Sequence, residues 1–132
     1  LKAVRLAAEQ AFAMANLKPQ DVDVAELHDA FTILEIAESE HVGFFKKGEG
    51  GKAAEKGETS LHGKIPINVS GGLKARGHPV GATGVAQVVE IVFQLRYELD
   101  KSRQVKDAEV GFTLNFGGFG NNVVAFVLRR PK

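Results

Sequence analysis

The stretch Asn68-Val-Ser-Gly-Gly-Leu-Lys-Ala-Arg-Gly-His-Pro-Val-Gly-Ala-Thr-Gly84 decides how this chain is read. A strand-like segment, Ile65–Val69, runs into it, and a long apolar segment, Val85–Leu99, leaves it. Five glycines (Gly71, Gly72, Gly77, Gly81 and Gly84) fall within fourteen residues. Glycine accepts positive φ and close backbone approach at an entropic cost, so this density exceeds what a simple connection needs. His78 is the one side chain here that changes charge near neutral pH. Pro79 biases the His78 backbone toward extended geometry, which holds the imidazole in a loop just ahead of a helix start. A strand, a glycine loop with a histidine and a helix together mark a site.

Working outward, Val4, Ala8, Ala11, Phe12 and Ala15 recur at helical spacing in residues 1–16, and Asn16 and Pro19 stop that helix. Val22, Val24 and Leu27 predict a short strand, and Asp29 is placed to cap a second helix. Phe31, Ile33, Leu34, Ile36 and Ala37 supply the apolar residues of that helix, and Gly43 is its C-terminal stop. Residues 43–64 read as a flexible polar loop with little to bury, in which Ala53–Lys56 can make one helical turn. Length makes Val85 to about Tyr97 a helix, and its sparse polar residues (Gln87, Glu90, Gln94 and Arg96) predict cover on most sides. Val110, Phe112, Leu114 and Phe116 alternate with polar or small residues as a strand. Gly117–Asn122 turns the chain, and Val123–Leu128 reads as a strand buried on both faces. The order α-β-α-loop-β-α-β-β predicts an α/β domain over residues 1–132, layered α-β-α with a mixed sheet.

Composition narrows the function classes. Apolar content of 44% and charged content of 25% are ordinary for a globular chain. A net charge of +1 argues against a nucleic-acid binder, which carries a strong basic excess on one face. Without cysteine there is neither a disulfide nor a thiolate metal site. No apolar run of about 18 residues and no signal pattern is present, so a cytoplasmic protein is expected and no membrane partner. Leu1 opens inside an amphipathic helix, the expectation for a piece of a longer polypeptide.

His28 and His78 each follow a strand and precede a helix, where sites gather in α/β proteins. A helix N-terminus disfavours extra positive charge and keeps an imidazole neutral. A neutral ring can donate to an oxyanion or accept a proton from a thiol or hydroxyl. The same placement also suits structural loop histidines bonded to backbone, and the residues alone leave both readings open. His41 and His62 read as surface. No histidine pair has i, i+4 metal-ligand spacing, so no metal is expected. Gly81-Ala-Thr-Gly84 is a weak anion-binding signal, lacking a Walker lysine and the full dinucleotide glycine spacing. The lysines and Arg76 between residues 46 and 76 could meet a phosphorylated ligand, although a solvated charged face is the plainer reading.

Glu26-Leu-His-Asp-Ala-Phe31, Ile67-Asn-Val-Ser-Gly-Gly-Leu73, Gly77-His-Pro-Val-Gly-Ala-Thr-Gly84 and Asn115-Phe-Gly-Gly-Phe-Gly120 together resemble the carboxy-terminal domain of thiolases, across almost the whole chain. The His-Asp-Ala-Phe form resembles the sterol-carrier-type and archaeal acetoacetyl-CoA branch. This resemblance implies a coenzyme A thioester substrate, no cofactor, and Claisen condensation or thiolytic cleavage. A cysteine from an amino-terminal half would take up the acyl group. His78 would activate that cysteine and join His28 in the oxyanion hole. Asn115, Gly117, Gly118, Ser70, Gly71 and Phe31 would line the pocket. The family also implies a homodimer or homotetramer of five-layered subunits, with an OB-fold partner in some archaeal relatives.

The chain departs from the family pattern in its thiols. Ordinary thiolases carry an acid/base cysteine at the position of Asn115, and sterol-carrier-type relatives carry one at the position of Ala30. An amide cannot take an α-proton at useful pH. A group from the missing half, a histidine in a double role, or loss of the reaction would each account for this. The resemblance therefore implies an acyltransferase half that is inactive alone, and leaves a non-condensing acyl-CoA or lipid binder as the alternative.

Overall fold

The computed structural model describes residues 1–131. Helix α1 (Lys2–Ala15) buries Val4, Ala8 and Phe12, one residue per turn on a single face. It ends where Asn16 takes a left-handed φ of 52°, a conformation its short polar side chain tolerates. After a 3-10 turn at Pro19–Asp21, strand β1 (Val24–Glu26) is fully buried and shorter than the Val22–Leu27 pattern predicts. Helix α2 spans Thr32–Val42 and stops at Gly43, whose φ is 100°. Helices α3 (Gly50–Glu55), α4 (Gly72–Arg76) and α5 (Thr83–Arg96) follow, then strands β2 (Val110–Gly117) and β3 (Asn122–Arg129).

The three strands form one mixed sheet in the order β1-β2-β3. β1 runs parallel to β2, pairing Ala25 with Phe112, and β3 returns antiparallel, pairing Thr113 with Phe126. Alternation along β2 divides the core. Phe112 and Leu114 join Val4, Ala8 and Phe12 on one face, where the Phe12 and Phe112 rings stack with centroids 5.1 Å apart. Gly111 faces α5 instead, and a Cβ there would overlap the Ile91 side chain, so glycine sets how closely α5 approaches the sheet. Helices on both faces of a mixed sheet make the layered α-β-α domain that the element order predicts. Burying a phenylalanine as fully as Phe112 (0% exposed) contributes about 2–3 kcal/mol.

Five local expectations are corrected. Ile65–Val69 is not a strand: it makes a single parallel bridge, Ala25 to Ile67. Pro66 has no N–H to give a ladder, and Asn68 turns the chain away at φ 52°. Asp29 does not cap α2, whose N-cap is Phe31; its carboxylate accepts from Leu73 N at 3.0 and 3.2 Å and so caps α4. The apolar residues Phe31 and Ile33 of the α2 region are exposed, while Glu38, Ser39 and Val42 are buried. Residues 43–64 bury Phe44, Phe45 and Ala53 in the main core, more than a polar composition implies.

The fifth correction concerns cover. β3 is exposed along one face at Val124 and Phe126, and α5 exposes Val85, Val89 and Phe93. The α5 residues turned inward are Thr83, Gln87, Glu90, Ile91, Gln94 and Leu95. These polar groups are matched rather than stranded: Gln94 Nε2 donates to Arg103 O at 2.8 Å, Gln94 Oε1 accepts from Val105 N at 2.8 Å, and Arg103 reaches Glu90 at 2.7 Å. Satisfied buried polar groups cost little, whereas orphaned ones cost kcal/mol each.

Candidate active site

Two loops converge at the carboxyl end of β1. Leu27 and His28 continue from the strand, and Leu27 N is fixed by Asn68 Oδ1 at 2.8 Å. Asn68 Nδ2 in turn donates to Glu35 Oε2 at 2.8 Å. The glycine-rich loop is tied to the same strand end: Ser70 Oγ donates to Glu26 Oε2 at 2.8 Å, and Arg76 reaches that carboxylate at 3.1 Å. Gly72 passes so close to Asp29 that any Cβ would overlap the carboxylate, and its φ is +60°. Glycine is required there by both space and backbone conformation.

These ties bring His28 and His78 together. Their rings meet edge to face with centroids 5.0 Å apart, and the His28 ring also lies 4.6 Å from that of Phe116. The His28 backbone N–H donates to Glu38 Oε2 at 2.8 Å. Its Nδ1 stands 2.8 Å from Asn115 Nδ2. His78 is exposed, with Nδ1 2.6 Å from the hydroxyl of buried Thr83. Together with Ala30, Phe31, Leu34, Val80, Asn115, Phe116, Gly117 and Gly118, the two histidines line a cavity of about 410 Å³. An apolar pocket with a few convergent polar groups is the usual form of a small-molecule site.

Charge around the pocket follows burial. The His28 imidazole titrates below its ordinary value, mainly because it is buried and also because His78 and Arg76 stand near, with Asp29 opposing. Beneath it, burial pushes Glu38 up to about 9 and also raises Glu35, whose carboxylate the Asn68 amide partly stabilises. Burial raises Glu26 to about 6 despite the Ser70 hydroxyl and the Arg76 guanidinium, which both favour its charged form. Desolvation therefore outweighs a direct ion pair at this strand end.

Of the residues singled out in the sequence, His28, His78, Asn115, Gly117, Gly118 and Phe31 meet at this cavity. Ser70 and Gly71 do not line it. Ser70 lies in the Glu26–Arg76 cluster, and Gly71 precedes α4 in a left-handed conformation. His41 and His62 lie apart from it; His41 Nδ1 bonds Ala37 O within α2. Sequence reasoning missed Glu38, Thr83 and Gln87. A signal for Gln87 existed: it stands with Glu90 and Gln94 at i, i+3 and i+7, a polar stripe on an otherwise apolar helix.

A mixed sheet with paired histidines from a His-Asp-Ala-Phe loop and a Gly-His-Pro loop defines a thiolase-type carboxy-terminal domain. The chain belongs to the thiolase C-terminal domain-like family, whose model matches residues 1–130. It is 54% identical over 124 residues to the acetyl-CoA acetyltransferase of Methanothermobacter thermautotrophicus, covering 94% of this chain and 32% of that protein. It is 46% identical over 118 residues to sterol carrier protein 2 of Bos taurus, covering 89% of this chain and 22% of that protein. The solved structure described as "Ltp2-ChsH2(DUF35) aldolase" matches with a TM-score of 0.80 at 25% identity, over 98% of this chain and 32% of the other. The chain thus spans about a third or less of the length of these relatives.

Proposed function

We propose that this chain is the carboxy-terminal half of an acyl-CoA C-acyltransferase of the acetoacetyl-CoA type, working with a cysteine supplied by an amino-terminal half. The observation that carries the proposal is the meeting of His28 and His78 at one apolar cavity, 5.0 Å between ring centroids. His78 takes the proton of the cysteine thiol, and the thiolate attacks the keto carbon of a 3-ketoacyl-CoA. As the carbon–carbon bond breaks, the electron pair forms the enolate of acetyl-CoA. His28 and His78 donate hydrogen bonds to its oxygen. The enolate carbon then takes a proton, and the thiol of a second coenzyme A releases the acyl group from the cysteine. No cofactor is needed.

Asn115 and Ala30 carry no exchangeable acid, so the α-carbon proton is handled by another group, from the amino-terminal half or from one of the histidines. The exposed apolar residues Val85, Val89 and Phe93 of α5, with Val124 and Phe126 of β3, support that half as their cover. Burying such a face between two halves would complete the five-layered subunit. A homodimer or homotetramer in the cytoplasm completes this reading.

A second reading, a non-condensing acyl-CoA or lipid binder, is favoured by the absence of any thiol or carboxyl among the residues lining the cavity. Exchange of the acetyl α-protons of acetyl-CoA with deuterated solvent, measured on the full-length protein, separates the two. The acyltransferase catalyses exchange, and a binder holds the ligand without it.

A further inference from the structure

Gln87 is fully buried on α5, and it ends a hydrogen-bonded chain that reaches His28. Its Nε2 lies 3.0 Å from Leu114 O. A carbonyl oxygen only accepts, so the amide nitrogen must face it, and Gln87 Oε1 then faces Asn115. The Asn115 Nδ2 lies 3.1 Å from that oxygen, which orients the Asn115 amide as donor in its turn. The same Nδ2 stands 2.8 Å from His28 Nδ1. A nitrogen that receives an N–H from Asn115 cannot carry its own proton. In a neutral ring the proton is then on Nε2.

We propose that Gln87 and Asn115 are positioning residues that lock His28 as its Nε2–H tautomer, through the polarity of one chain anchored on the Leu114 carbonyl. The inference rests on the acyltransferase reading for its purpose, since an Nε2–H is what an oxyanion hole needs from His28. It also gives Asn115 a role beyond lining the pocket. Where ordinary thiolases place an acid/base cysteine, this chain places an amide that sets the proton on its neighbour. The lock also disfavours imidazolium, because a protonated Nδ1 would point at the Asn115 amide, donor against donor. Glu38, Asp29, Arg76 and His78 are the charged or titratable groups around the ring, and none of them occupies Nδ1.

The test is neutron diffraction of the deuterated full-length protein, with kinetics on Gln87→Leu, Asn115→Asp and Asn115→Ala. The lock predicts a deuteron on His28 Nε2 and none on Nδ1, with both Asn115 deuterons directed at Gln87 Oε1 and His28 Nδ1. Asn115→Asp reverses the polarity and draws a proton onto Nδ1. Its kcat is expected to fall at least about a hundredfold with KM changed less than about threefold, a larger loss than in Asn115→Ala, which merely removes the lock. Gln87→Leu keeps the volume and is expected to lower kcat by about tenfold. A deuteron on His28 Nδ1 in the unaltered protein overturns the proposal, as does an Asn115→Asp variant that turns over like wild type. The wild-type map decides the tautomer even if a variant fails to fold. It also decides it independently of turnover, so failure of the acyltransferase reading would appear separately.

Discussion

The imidazoles of His28 and His78 come from loops on different segments of the chain and meet edge to face, 5.0 Å between ring centroids. Neither loop reaches that position by itself. Asn68 pins the backbone just before His28, and Asp29 pins the turn that carries the chain on toward His78. The site is therefore as rigid as these cross-loop ties, and its chemistry is as tunable as the burial around them.

Gly72 is the position where that geometry is least tolerant. Gly72→Ala forces a Cβ onto the Asp29 carboxylate at a φ of +60° and is expected to cost about 2–3 kcal/mol of stability. Gly48 also has a positive φ, +83°, with nothing near its would-be Cβ, so Gly48→Ala is expected to cost only about 1 kcal/mol. Chemical denaturation of the two variants of the full-length protein measures the difference. Equal losses would show that backbone strain alone, and not the Asp29 contact, makes Gly72 necessary.

Glu38 ties stability to pH. Its carboxyl is pushed up to about 9 in the fold from an ordinary 4.5. A raised carboxyl is protonated in the native state while the unfolded chain has already lost the proton. Its contribution is therefore full below pH 4.5 and declines as pH rises toward 9. Glu38→Gln keeps an acceptor for His28 N and removes the titration. The variant is expected to flatten the fall of Tm between pH 6 and 9 and to be more stable at pH 8 by about 1–3 kcal/mol. An unchanged Tm–pH slope would show that Glu38 is ionised in the native protein.

His28 behaves in the opposite sense. Its pKa lies below the ordinary 6.5, chiefly through burial, so the neutral form is favoured in the fold. Stability from this group is complete above 6.5 and is lost as pH falls through the lower native value. The Cε1 proton of His28, followed by NMR in the full-length protein, is expected to titrate with a midpoint below 6.5. A midpoint at or above that value would mean that a compensating anion reaches the ring.

Much of this was readable from side-chain periodicity. Val4, Ala8 and Phe12 announce α1, and the alternation Val110, Phe112, Leu114 announces the central strand, because both bury one face against core within the chain. Readings failed where apolar residues face away from that core. Val124 and Phe126 look like a doubly buried strand, and Val85, Val89 and Phe93 look like a covered helix, yet all five are exposed here. The polar stripe Gln87, Glu90 and Gln94 marks the buried side of α5 for the same reason. Local periodicity reports that a stripe exists, and hydrogen-bond partners distant in sequence decide which way it faces. The site followed the same rule: His28, His78 and Asn115 stand in recognisable motifs, Gln87 shows only as a member of that polar stripe, and Glu38 acts through a contact with no local signature.

The central claim is that His78 activates a thiol for acyl transfer. The direct measurement is kcat of the full-length protein and its His78→Ala variant in thiolysis of acetoacetyl-CoA, with folding checked by circular dichroism. Loss of the activating base is expected to lower kcat by at least about a thousandfold. Turnover retained within a few-fold of wild type would contradict the role given to His78 and, with it, the acyltransferase account of this pocket.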